Sequence, residues 1–142
     1  MTSSHAFVRA VAATLVVVGL SISALAQPAA TYRNGSEFYM AYRQAFVKAK
    51  AIDEVLPWMA KSRRDQMSKA PATERTQMFG MIKDMDDNIS IKVVKETPSA
   101  AGAELQVEAV SSASKKKTTA TITLVKEAGA WKLEGESWKG SM

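Results

Sequence analysis

The second half of the chain contains four segments in which apolar and polar residues alternate, separated by short connectors rich in turn-forming residues. Alternation of this kind is typical of β-strands that bury one face. Because the connectors are too short for crossovers, the strands are expected to pair as an antiparallel meander. A sheet with one apolar face needs a cover, and the preceding segments must supply it. The predicted strands are residues 88–97, 103–111, 118–126 and 130–139.

Helical patterns dominate the region before these strands. Asn34 and Glu37 have the spacing of a capping box and predict the start of a first helix. Its apolar residues recur every three or four positions, and the helix is expected to break before Pro57, which lacks the N–H group that a helix needs. Helices that precede an antiparallel sheet indicate an α+β fold.

Two further helices are predicted in the same region. One covers about residues 58–68, and the next is expected to be capped by Thr73. The acidic residues at 84–87 are unfavourable in a last helical turn, so this stretch is expected to form a loop. It also lacks the glycine and glutamate of a calcium-binding loop. The sequence therefore predicts three N-terminal helices that cover a four-stranded sheet.

The N-terminus has the features of a secretory signal peptide. Arg9 precedes an uncharged apolar run that ends in Ala24-Leu25-Ala26, and cleavage is expected after Ala26. This divides the chain into a signal peptide at 1–26, a short lead-in at 27–35 and one domain at 36–142. The predicted location is secreted or periplasmic, with no stable membrane insertion after cleavage.

Composition excludes several kinds of chemistry. The chain has no cysteine, and its one histidine, His5, lies in the predicted signal peptide. Catalysis by Ser-His-Asp or Cys-His groups and the usual zinc sites are thereby excluded, and no cofactor is expected. The basic cluster at 115–117 has no interleaved aromatic residues, so it indicates a solvated hairpin tip rather than a nucleic-acid site.

Two sets of residues carry a resemblance to a known family. They are Phe38, Tyr42, Ala49, Asp53, Pro57 and Trp58 at the front, and Ala120, Ile122, Leu124–Glu127, Gly129 and Trp131–Leu133 at the back. In this layout the chain resembles the nuclear transport factor two-like superfamily, and within it the exported lumazine-binding-protein-like domains of unknown function. The resemblance implies a strongly curved antiparallel sheet of four or more strands around three helices, which forms a cone-like roll whose open end can hold a pocket. Its members include isomerases, dehydratases and non-catalytic binding or dimerising modules, so fold alone selects no function.

A tentative ligand pocket is predicted from Tyr39, Tyr42, Asp53 and Trp58. A tyrosine hydroxyl and a carboxyl group in an apolar cone could polarise a carbonyl group and move a proton. The alternative is that the aromatic residues belong to the core and that Asp53 caps a helix.

Three methionines form a second candidate site. Met78, Met81 and Met85 are spaced to share one helical face, and soft thioethers suit Cu(I). The alternative, favoured because Ile82 shares the stripe, is that they fill an apolar core. On the last strand, Trp131 and Trp138 lie an odd number of residues apart, so they are expected on opposite faces.

These observations predict an exported, non-catalytic domain that binds a small apolar ligand or a protein partner. One alternative is a histidine-free isomerase- or dehydratase-like enzyme that uses Tyr and Asp. Another is a structural module that forms a homodimer through its sheet.

Overall fold

The computed structural model describes residues 31–86 and 88–140. Three helices precede four strands: α1 (Gly35–Lys48), α2 (Lys61–Lys69), α3 (Ala72–Asp86), β1 (Ile89–Pro98), β2 (Gly102–Ser111), β3 (Lys117–Glu127) and β4 (Ala130–Lys139). The strands form one antiparallel sheet in the order β1-β2-β3-β4. The sheet is not closed, and the helices cover one of its faces. The predicted α+β class, the four strands and the meander are confirmed. The predicted signal peptide and the first part of the lead-in lie outside the described residues.

The core lies between α1 and the sheet. Aromatic residues on one face of α1 pack against aliphatic residues of β2, β3 and β4, as the helical and alternating patterns predict. The largest fully buried side chains are Tyr39, Phe38, Leu105, Ile122, Leu124, Leu133, Val55 and Val107.

The helix boundaries differ from the prediction in three places. The helix α1 ends at Lys48, and the chain continues through two 3₁₀ turns, Ile52–Glu54 and Leu56–Trp58, before α2 begins. Ile52 is buried although it lies beyond the end of α1, so the apolar pattern continues past the helix that it predicted. Because α3 already begins at Ala72, Thr73 lies inside it and the predicted cap is wrong.

The acidic stretch at 84–87 was predicted as a loop, and this prediction is wrong for residues 84–86, which belong to α3, while residue 87 lies outside the described residues. The helix α3 extends to Asp86, whose side chain is buried beside Arg43 of α1. An ion pair with a neighbouring helix therefore outweighs the unfavourable position of a carboxylate at a helix C-terminus.

Each edge strand contains one β-bulge, a single extra residue that has no partner on the neighbouring strand. In β1 the pairing skips Val94, and in β4 it skips Glu134. An extra residue reverses which side chains face the core beyond it. Glu96 of β1 is consequently opposite buried Leu105 and turned toward the helices.

The inward-turned Glu96 anchors the start of α1. Its carboxylate accepts hydrogen bonds from the N–H of Gly35 at 2.9 Å, from the N–H of Ser36 at 3.0 Å and from the Ser36 hydroxyl. Burial alone would raise the pKa of Glu96, but these hydrogen bonds outweigh it and hold the pKa below its usual value. A carboxylate at this position also interacts favourably with the helix dipole.

Acid is expected to weaken this anchor. Because the pKa of Glu96 is lower in the folded chain, its stabilising effect is complete above its unfolded value near 4.5 and is lost as the pH falls through the folded value. The variant Glu96→Gln is expected to lower the free energy of unfolding by about 1–2 kcal/mol at pH 7. Urea denaturation at pH 7 and pH 3 measures both effects. If the variant is less stable than the wild type by the same amount at both pH values, the assignment is contradicted.

Candidate functional site

The bulge at Glu134 determines which β4 residues face the helices. Beyond it, Glu136 pairs with buried Ile122 and Trp138 with buried Ala120, so both face the core. Trp131 lies on this face too. The Lys126 ammonium group lies over its ring, and its indole N–H donates a hydrogen bond to the Tyr32 carbonyl oxygen at 3.3 Å. The prediction that the two tryptophans lie on opposite faces is therefore wrong, because it assumed unbroken alternation.

Glu136 is the centre of a polar cluster under the sheet. Its Oε1 accepts a hydrogen bond from the Tyr39 hydroxyl at 2.9 Å, and Arg63 Nη2 lies 3.8 Å from its Oε2. Burial, followed by the negative charge of Glu136, raises the pKa of Tyr39 well above its usual value, and burial does the same for Tyr42. Both phenols thus stay protonated and act as neutral hydrogen-bonding groups.

A second ion pair completes the cluster. Arg43 of α1 donates a hydrogen bond to Oδ1 of Asp86, and both side chains are about nine-tenths buried. Burial alone would lower the pKa of Arg43, but the bond to Asp86 and the neighbouring negative charges produce a net rise. The other carboxylate oxygen of Asp86 has no hydrogen-bond partner among the described residues. Two guanidinium groups and two carboxylates therefore balance one another in this cluster.

These charges border a hollow of about 250 Å³ between the helices and the ends of β1 and β4, here called the polar hollow. It is lined on the polar side by Arg43, Arg63, Asp86 and Glu136, and on the apolar side by Ile82, Met85, Ile89 and Trp138. A smaller space of about 50 Å³, the inner cavity, lies deeper and shares the two arginines, Ile82 and Glu136 with it.

The predicted pocket residues do not form a single pocket. Tyr39 is fully buried and hydrogen-bonded to Glu136, and Tyr42 lines the inner cavity. Trp58 packs in an aromatic cluster with Tyr42 and Phe38, at ring-centroid distances of 6.3 and 5.7 Å. Asp53 is exposed and lies elsewhere, in a groove on the side of the domain. It caps no helix, since the 3₁₀ turn that contains it starts after Ala51 without a side-chain cap.

The groove that contains Asp53 has a volume of about 770 Å³, but its cations already have partners. The buried Lys132 donates to the carbonyl oxygen of Pro57 at 2.6 Å, and Arg64 donates to that of Met59 at 2.6 Å. Burial, with nearby Arg64, lowers the pKa of Lys132. Both side chains hydrogen-bond backbone carbonyl oxygens at the second 3₁₀ turn. The cations of this groove therefore have a structural role, and no ligand is needed to account for them.

The methionine stripe on α3 is not part of the core. Met78, Met81 and Met85 are 38%, 63% and 57% exposed, and Ile82 is 39% exposed. The core-filling alternative is therefore wrong for this stripe. Phe79 is the apolar residue through which α3 packs on α1, with its ring 5.4 Å from that of Phe46.

The chain matches no protein-family model, no curated protein and no solved structure. In the described part of the chain, no helix has the length and apolar character needed to cross a membrane. The same residues contain no group of three or more His, Cys, Asp or Glu side chains arranged to hold a metal ion. The case for a function thus depends on the geometry of the polar hollow and the inner cavity.

Proposed function

We propose that the protein is a non-catalytic binding domain that holds a small, mainly apolar molecule in the polar hollow. The supporting observation is the lining of this hollow, in which four apolar side chains face two balanced ion pairs. Such a mixture of apolar surface and a few oriented polar groups is typical of ligand sites. Its volume lies below the range of about 300–1,000 Å³ for drug-sized ligands, so the ligand is expected to be small.

Arg63 supplies the polar contact for this ligand. Its side chain is 28% exposed, and its guanidinium group makes no hydrogen bond within the described residues, since Glu136 at 3.8 Å is beyond hydrogen-bonding distance. A guanidinium group carries five N–H donors. The ligand is therefore expected to present a hydrogen-bond acceptor to Arg63 and its apolar part to Trp138 and Met85. We also propose that the sheet and helices form a cone-like roll and that the domain is exported.

The two alternatives have less support. The enzyme needs a Tyr and an Asp side by side, and Asp53 lies in a different hollow from Tyr42. The dimerising module needs an apolar outer sheet face, because interface cores are apolar. The outer face instead carries polar side chains, among them Glu104, Gln106, Glu108, Thr119, Thr121 and Thr123.

Blocking the hollow is expected to weaken the binding of a small aromatic probe. Acetophenone, an aromatic ring that carries a carbonyl acceptor, is titrated into protein with ¹³C-labelled methionine methyl groups, and the wild-type Met85 resonance is expected to shift and saturate. Ile82→Arg places a long charged side chain in the lining and is expected to weaken binding by about tenfold or more, since a charge gains nothing from apolar surroundings.

The matched control is Met81→Arg. Met81 neighbours Ile82 on α3 and is exposed, but it does not line the hollow. This variant is expected to bind acetophenone as the wild type does. The proposal is wrong if the wild-type shifts never saturate, or if both variants lose binding equally.

A further inference from the structure

The strand β1 lies at one edge of the sheet, where only β2 pairs with it in the described part of the chain. Ser111 of β2 is the partner of Ile89, but its N–H donates at 3.0 Å to the carbonyl oxygen of Lys116, on the side of β3. Ser111 and Ile89 therefore form a pair without mutual hydrogen bonds. Because such pairs alternate along an antiparallel ladder, the backbone N–H and C=O groups of Ile89, Ile91 and Val93 point away from β2. These three residues offer backbone donors and acceptors to a further strand.

A groove of about 270 Å³, here called the edge groove, lies between this strand edge and α1. Its apolar lining comes from both elements, with Ile89 and Ile91 on β1 and Met40 and Val47 on α1. The two residues of α1 are 37% and 49% exposed, so they are open to a partner. A strand that pairs with β1 places every second side chain on the helix side of the sheet. Apolar side chains at those positions would fill the edge groove.

The charges around this edge are basic. Lys48 lines the edge groove, and the exposed Lys92 and Lys95 lie on the outer face of β1. Glu108 is opposite Lys92, but the ion pair that it forms is with Lys117, at 3.4 Å. A second copy of β1 would bring the lysines of both copies to one face, and like charges on neighbouring strands are destabilising. A segment with acidic residues between its apolar ones matches both the groove and the lysines.

We propose that the β1 edge binds an extended peptide segment of a protein partner, in which apolar and acidic residues alternate. The segment adds a strand to the sheet. Its backbone bonds to the three free residues of β1, its apolar side chains fill the edge groove and its acidic side chains lie beside Lys92. The bulge at Val94 ends the regular pairing and limits the docked segment to about five residues. This surface does not depend on a ligand in the polar hollow.

A pair of peptides tests the surface. The probe is acetyl-Val-Glu-Val-Glu-Val-amide, and its matched control has lysine in place of each glutamate. Each peptide is titrated into ¹⁵N-labelled protein and followed by NMR. The acidic peptide is expected to shift the amide signals of Ile89, Ile91 and Val93 to saturation and to slow their hydrogen exchange. The lysine peptide is expected to bind about tenfold more weakly, because its charges face Lys92.

Lys92→Glu is expected to reduce the preference for the acidic peptide by about fivefold or more. Lys139→Glu is its matched control, because Lys139 is an exposed lysine on β4, at the opposite edge of the sheet, and the change in net charge is the same. The control is expected to keep the wild-type preference. Both substitutions are at exposed positions, so both variants are expected to fold.

Three results of the titrations would overturn the proposal: unchanged signals at the β1 edge, equal binding of the two peptides, or an equal loss of preference in Lys92→Glu and Lys139→Glu. It is also overturned if the signals of the β1 edge move with protein concentration in the absence of peptide, since a second copy would then cover the edge.

Discussion

Gly102→Ala is expected to lower the free energy of unfolding by about 3 kcal/mol or more, because a β-carbon has no room at this position. An ideal Cβ on Gly102 would lie 2.0 Å from the carbonyl oxygen of Leu124 and 2.7 Å from the Cα of Val125. Both are backbone atoms of the neighbouring strand, so no side-chain rotation relieves the clash. The strands β2 and β3 would have to separate where they pair.

Gly135→Ala is the matched control for this prediction. Gly135 also lies in a strand, but a Cβ there would meet nothing within 4 Å. Its stability is expected to change by no more than about 0.5 kcal/mol. Urea denaturation of both variants gives the comparison, and similar losses would show that glycine flexibility, rather than close strand packing, matters at both positions.

Asp86→Ala is expected to be the second strongly destabilising change, at about 3 kcal/mol, because it leaves the buried Arg43 guanidinium without its carboxylate. The two side chains are only 12% and 8% exposed, so water cannot replace the lost partner fully. The control is Asp84→Ala. Asp84 is exposed and lies two residues before Asp86 on α3, so this change is expected to have little effect.

The double variant Arg43→Met/Asp86→Leu separates charge from packing. Replacing both members of a buried ion pair by apolar residues removes the uncompensated charge, and such replacements are often neutral or stabilising. The double variant is therefore expected to recover most of the stability that Asp86→Ala loses, as measured by chemical denaturation. A double variant as unstable as the single one would mean that the loss comes from packing rather than from the isolated charge.

The strands were the most predictable part of this chain. Alternation depends on burial of one face, and the connectors are short, so both the number of strands and their antiparallel order could be read from the sequence. The bounds predicted for β4 agree with the structure; those of β2 differ by one residue at one end, and those of β1 and β3 by one residue at both ends. The helix ends were harder to place. The two 3₁₀ turns continue the apolar stripe of α1 and so conceal where α1 ends.

The candidate site was predictable only in part. Tyr39 and Tyr42 were identified because a tyrosine hydroxyl in an apolar pocket can polarise a bound carbonyl group. Glu136 was missed because unbroken alternation from Trp131 places it on the outer face, and the bulge at Glu134 gives no signal in a single sequence. Asp86 was missed because its partner, Arg43, is 43 positions away and only tertiary packing brings the two together.

The two bulges also determine how this domain can change over evolutionary time. The inward positions of Glu96 and Glu136 depend on how many residues precede them in their strands, and not only on which residues they are. Losing the unpaired residue at position 94 or 134 would leave the partners of all other residues unchanged, whereas losing a paired residue would exchange the inner and outer side chains along part of that strand. Insertions and deletions in descendants of this chain are therefore expected in the hairpin turns. Apart from the two bulge residues, the lengths of the edge strands should be inherited more strictly than much of their composition.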